Sequence, residues 1–92
     1  MTSTVARRLE IKNIKGLHAR ASAKFVETVE EFDASALVEK DGIETTGDSI
    51  MGLLMLAASR GTFIDVRTSG AQATELADAL EALVGDLFGE GM

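Results

Sequence analysis

Residues 35–46, SALVEKDGIETT, decide the fold. Residues 35–40 and 43–46 read as two short strands on either side of Asp41 and Gly42, a dipeptide suited to the positive φ values of a two-residue hairpin turn. Strands joined this way are antiparallel neighbours. Upstream, residues 5–12 set Val5, Leu9 and Ile11 on one face and Arg8, Glu10 and Lys12 on the other, the period of a half-buried strand. Downstream, residues 62–68 alternate again, with Ile64 and Val66 inward and Asp65 and Arg67 outward. Three stretches with helical spacing separate and follow these strands. Residues 19–31 carry Phe25, Val26 and Val29, with Phe32 closing the stripe and Glu27, Glu30 and Glu31 on the wet side. Residues 50–58 are apolar but for Gly52 and follow Asp48 and Ser49, either of which suits a helix N-cap. Residues 71–88 align Leu76, Leu80, Leu83, Val84 and Leu87 opposite Glu75, Asp78 and Glu81. These three acids and Asp86 read as a solvated face with no metal role. The order β-α-β-β-α-β-α predicts an α/β two-layer (α+β) open-faced sandwich. Its four-stranded sheet is mainly antiparallel, with three helices on one face.

A chain of 92 residues without proline or a linker reads as one domain over 1–92. The absence of cysteine and the single histidine exclude disulfide frameworks, thiol nucleophiles and nearly every zinc site. The first residues, Met1 to Arg8, lack the apolar stretch of a signal peptide, and no window approaches the roughly 18 apolar residues of a membrane span. The expected address is the cytoplasm, with no membrane partner. A net charge of -6 argues against nucleic-acid binding. The charge is unevenly spread: residues 1–25 hold six basic residues and only Glu10 as an acid, whereas the remainder is strongly acidic. The one histidine, His18, lies inside this basic end, where a local positive field attracts a small anion.

The candidate site is therefore the loop-to-helix junction Gly16, Leu17, His18, Ala19, Arg20, Ala21, Ser22. A helix start offers unpaired N–H groups and the positive end of the macrodipole, and Gly16 lets the chain turn tightly into it. Arg20 adds a fork for phosphate oxygens, Lys24 stands one turn on, and a neutral ring nitrogen of His18 serves as nucleophile. On the same residues, His18 also reads as an ordinary surface cap and Arg20 as a solvated charge. Two non-covalent functions fit as well: a regulatory domain binding a phosphate-bearing metabolite at this helix start, and an adaptor using the apolar second helix. A group of two turns in so small a domain cannot hide every side, so part of the Met51, Leu54 and Met55 surface is expected to remain exposed.

Gly16 to Ser22 resembles the active-site loop of the HPr family of phosphocarrier proteins. Ser49 to Leu56 resembles that family's second helix with its regulatory serine. The Phe32, Asp33, Ala34 segment and the Leu53, Leu54, Met55, Leu56 run are most similar to the regulatory, nitrogen-related branch. The resemblance implies that His18 accepts a phosphoryl group at Nδ1 from phosphoenolpyruvate-dependent enzyme I. It then passes the group to an enzyme IIA-type protein, with Arg20 stabilising the phosphate and no cofactor or metal. It implies that Ser49 is the target of an HPr kinase/phosphorylase. The docking surface it implies contains Leu17, Ala21, Lys24, Met51, Leu54 and Met55. Two residues depart from the pattern. Ala21 stands where the family usually has Pro, which keeps the helix start while loosening it. Glu27 and Glu30 stand where the sugar-transport members carry basic residues, so a sugar-type partner is the less expected one.

Overall fold

The computed structural model describes residues 3–91; Met1 and Thr2, part of the expected leaderless N-terminus, and Met92 lie outside them. Strands β1 (Ser3–Glu10), β2 (Ser35–Lys40), β3 (Ile43–Thr46) and β4 (Phe63–Gly70) form one sheet in the order β1-β4-β2-β3, and every pairing is antiparallel. Helices α1 (Ala19–Glu30), α2 (Ile50–Met55) and α3 (Ala73–Gly85) complete the predicted element order. The hairpin turn falls on Asp41 and Gly42, with φ of 52° and 83°. None of the described helices is long and apolar enough to cross a membrane.

Alternation along the strands sends Leu9, Val38, Ile64 and Val66 to the helix side, where they meet Phe25, Val29, Leu53, Leu76, Leu80 and Phe88 in one core. Arg7 shares this inner face of β1. Only partly exposed, it reaches past the core to Asp78 (3.0 Å) and Glu81 (2.6 Å) on α3. Those two acids remain solvent-exposed, as the sequence predicts, but they also tie α3 to the edge strand. Its long aliphatic stem lets Arg7 occupy an inward position while its charge stays at the rim.

The fourth strand runs 63–70 rather than 62–68 and the first helix ends at Glu30 rather than 31; three further elements differ more from the sequence reading. The first strand lies at residues 3–10 rather than 5–12, although Ile11 keeps a bridge to the chain after α2 through Thr62 (2.8 Å) and Gly61 (2.7 Å). The second helix stops at Met55, because Leu56 caps it and Ala57 takes a left-handed conformation (φ 51°) that cannot continue a helix. The third helix is also shorter than expected. It ends at Gly85, and Leu87–Gly89 form a separate 3₁₀ turn in which Leu87 and Phe88 both have positive φ. Leu87 thus leaves the predicted stripe, and Phe88 is fully buried in its place.

Gly52, the one break in the apolar second helix, has a packing reason. A Cβ there would lie 1.8 Å from Oγ1 of Thr45 on β3, so the helix approaches the hairpin closely only because this residue lacks a side chain.

Candidate functional site

The site begins at a tight turn. Gly16 has φ +65°, and a Cβ on it would lie 2.5 Å from the carbonyl oxygen of Ala58. Glycine therefore answers both the left-handed backbone and the close approach of residues 58–59. Leu17 N–H donates to Ala58 O at 2.8 Å and Gly16 N–H to Asn13 O at 3.2 Å. The loop is consequently pinned to the chain just beyond α2.

His18 is the N-cap of α1, with extended backbone (φ -74°, ψ -177°). Its Nδ1 accepts the backbone N–H of Arg20 at 3.2 Å, in the way that shorter polar side chains cap helices. The N–H groups of Ala19, Arg20 and Ala21 have no carbonyl four residues back within the helix and face the loop. Nε2 lies 2.5 Å from Oε2 of Glu90. An ionised carboxylate only accepts, so Nε2 is the ring nitrogen bearing the proton and Nδ1 holds the lone pair.

Burial opposes ionisation of Glu90. Its hydrogen bonds to His18 and Asn13, together with the positive charge of Lys24, more than offset this and hold the carboxyl below the ordinary glutamate range.

Glu90 is brought here by the segment after α3. Phe88 is fully buried, Lys24 Nζ donates to Phe88 O at 2.6 Å, and Asn13 Nδ2 donates to both Gly16 O (2.7 Å) and Glu90 Oε1 (3.1 Å). Asn13 is itself completely buried, and its Oδ1 has no hydrogen-bond partner among the described residues. The amide spends both donors joining the loop to the chain end and leaves one acceptor unpaired. Beside this junction, Ile14, Lys15, Arg20, Lys24, Gly89 and Glu90 line a cavity of about 290 Å³. Three of the basic residues of the N-terminal part, Lys15, Arg20 and Lys24, thus come together around Glu90, whereas Arg7 and Arg8 pair with acids elsewhere; Arg20 is exposed.

The residues expected on a docking surface separate into two groups. Met51 and Met55 are 70% and 71% exposed, and Leu54 is half-buried beside them. Leu17 and Ala21, by contrast, are buried. Leu17 is drawn inward by its bond to Ala58, and Ala21 sits on the inner side of α1. Lys24 is half-buried and engaged with Phe88. Ser49 is the N-cap of α2, and its Oγ accepts Gly52 N–H at 3.0 Å. Asn13, Phe88 and Glu90 were not singled out by the sequence reading. Their signal is faint: a large apolar residue and an acid, each followed by glycine, after the third helix has already met Gly85.

Residues 5–86 match the family model described as PTS HPr component phosphorylation site. Phosphocarrier protein HPr of Neisseria meningitidis serogroup A is 48% identical over 83 residues, covering 90% of this chain and 93% of that protein. Phosphocarrier protein NPr of Escherichia coli K12 is 39% identical over 88 residues, covering 95% and 98%. Among solved structures, that of HPr-C-His from Thermoanaerobacter tengcongensis superposes with a TM-score of 0.90 at 38% identity. It covers 96% of this chain and 99% of that one.

Proposed function

The chain belongs to the PTS HPr family, whose proteins are phosphocarriers rather than enzymes, and from that premise we propose that His18 is its phosphoryl acceptor. The observation that carries the reading is the pair of contacts on the ring. With Nε2 protonated and turned to Glu90, Nδ1 holds the lone pair and lies at the open start of α1. In the transfer, Nδ1 bonds to phosphorus as the bond from phosphorus to the donor breaks, its electron pair returning to the donor. The ring keeps its Nε2 proton. The phosphoryl oxygens take over the N–H groups of the first turn, where the macrodipole favours negative charge. The donor is enzyme I and the acceptor an enzyme IIA-type protein, in the cytoplasm. Exposed Glu27 and Glu30 on α1 favour a partner of the regulatory system over a sugar-type one. Met51, Leu54 and Met55 form the apolar part of the docking surface, and flexible methionines suit a carrier that fits successive partners. Incubation with enzyme I and labelled phosphoenolpyruvate, followed by mapping of the label, tests the reading. Label at His18 supports it, and label elsewhere or none overturns it.

Arg20 is the phosphate-stabilising residue of this proposal. Its side chain is exposed and makes no ion pair among the described residues. Arg20→Ala is therefore expected to change stability by less than about 0.5 kcal/mol. It is expected to slow transfer by about tenfold to a hundredfold, the effect of losing one charge-assisted hydrogen bond. Stopped-time labelling of both proteins measures this, and equal rates would remove Arg20 from the mechanism.

Ser49 is the regulatory position of this proposal, as the substrate of an HPr kinase/phosphorylase. A phosphate at the start of α2 adds like charge and a desolvation cost beside the exposed methionines. Protein phosphorylated at Ser49 is expected to accept label at His18 about tenfold more slowly, with an unchanged circular dichroism spectrum. Unaltered kinetics would leave Ser49 as a helix cap only.

A further inference from the structure

Lys15 stands in the turn that leads to His18, and its backbone there is fixed. Gly16 N–H donates to Asn13 O at 3.2 Å, and Gly16 O accepts Asn13 Nδ2 at 2.7 Å. Residues 14 and 15 thus ride on a short loop that Asn13 and Gly16 close at both ends. The Lys15 side chain is exposed and makes no ion pair among the described residues. Other cations of the basic N-terminal part are committed. Lys24 is half-buried and donates to Phe88 O at 2.6 Å, and Arg7 and Arg8 pair with acids of α3 and β4. A second hollow, of about 240 Å³, lies against the ring and is lined by Lys15, Leu17, His18, Ala57, Ala58 and Ser59. Lys15 is the residue that it shares with the cavity holding Arg20 and Glu90. The lining of that cavity includes a carboxylate, whereas the lining of the second hollow has a cation and no acid.

We propose that Lys15 is a phosphoryl-binding residue of this site, its ammonium meeting the outer oxygens of the group carried on His18 from the side of the second hollow. The proposal rests on the reading of His18 as the acceptor. During transfer Nδ1 bonds to phosphorus, the bond from phosphorus to the donor breaks, and its electron pair leaves with the donor. Lys15 gives up no proton. Its charge offsets the negative charge that arrives with the group, so that oxygens turned away from the first turn of α1 also meet a positive partner. An ammonium on a four-carbon stem suits this place, because it is a compact charge that follows the group as it changes partners, whereas the planar fork of arginine favours one geometry. The contact lies at the surface, so its effect is modest and falls with added salt.

The test uses Lys15→Ala, Lys15→Arg and Lys12→Ala. Phosphorus NMR of protein labelled at His18 follows the second ionisation of the phosphoryl group across neutral pH, and labelling over a range of enzyme I concentrations separates the maximal rate from KM. A cation beside the group favours its dianion. Lys15→Ala is therefore expected to move the midpoint upward by about half a pH unit, and to lower the maximal rate about threefold with KM unchanged. Lys15→Arg keeps the charge and should restore both. Lys12 is exposed and lines a different depression, with Phe63 and Glu81. Lys12→Ala removes the same net charge and should match the wild type in both readouts. An unmoved midpoint in Lys15→Ala overturns the proposal, and so does an equal shift in Lys12→Ala, which makes the effect one of net charge. A Lys15→Arg midpoint that stays with the alanine variant also overturns it, as does a rise in KM alone, which makes Lys15 a docking residue. A wild type that takes no label at His18 overturns the acceptor reading and this proposal together, whereas a labelled wild type beside an unaffected Lys15→Ala overturns only this one.

Discussion

His18→Ala is expected to accept no phosphoryl label from enzyme I, while the domain stays folded. The expected result follows from the composition of the site: His18 is the only imidazole of the chain, and there is no cysteine to replace it. Its structural share is small by comparison. Alanine loses the cap bond from Arg20 N–H and the contact to Glu90, and removal of a capping side chain costs about 0.5–2 kcal/mol. A domain of ordinary stability, about 5–15 kcal/mol, survives that loss. His18→Asn separates the two roles, because asparagine caps helices well but offers no nucleophilic ring nitrogen. It should recover most of the lost stability and none of the labelling. Urea unfolding and label counting on the three proteins measure both quantities. Label retained by either variant at the wild-type level would place the acceptor elsewhere.

Phe88→Ala is expected to have a large effect on stability. Phe88 is fully exposed in neither part of its ring nor its stem but buried outright in the core shared by the sheet and all three helices. Truncating a buried phenylalanine costs about 3–5 kcal/mol through lost transfer energy and the cavity left behind. In a domain of this length that lowers Tm on the order of 20 °C. The loss should also free the chain end, so that Glu90 leaves His18 and the Nε2–H resonance broadens before global unfolding. A change of under 1 kcal/mol would mean that the turn at 87–89 is not held by this ring.

Acid should loosen the same contact in the wild type. The Glu90 carboxyl is held below the ordinary glutamate value of 4.5. Its contribution to stability is therefore full above that value and is lost as the pH falls through the depressed folded value.

Local chemistry made some elements legible to the residue. The hairpin was readable because Asp41 and Gly42 alone explain its turn, and α1 because His18 and the stripe through Phe25 and Val29 mark its start and buried side. What was not legible depends on distant contacts. The apolar run 50–58 carries no stop signal of its own. The helix ends where Ala57 and Ala58 turn to meet Gly16, a partner that periodicity cannot reveal. Leu87 keeps helical spacing with Leu80, Leu83 and Val84, so the stripe hides the break that places Phe88, not Leu87, in the core. Leu17 and Ala21 were expected on the docking surface because the resemblance to the HPr family implies it. Yet the bond from the loop to Ala58 turns Leu17 inward, and Ala21 lies on the buried side of α1. His18 and Arg20 could be found from their own neighbourhood, whereas Glu90 and Asn13 become part of the site only through the fold.

The contact between His18 and Glu90 joins residues 72 positions apart, and this sets an order of events during synthesis on the ribosome. The central strand β4 must emerge before β1 and β2 have a shared partner, so long-range pairing delays the sheet. Even then the histidine faces a loop without its carboxylate. The contact between His18 and Glu90 forms only after nearly the whole chain has been made and Phe88 has entered the core. A nascent or prematurely truncated chain thus displays the sequence around His18 without the carboxylate that the complete fold brings to its ring.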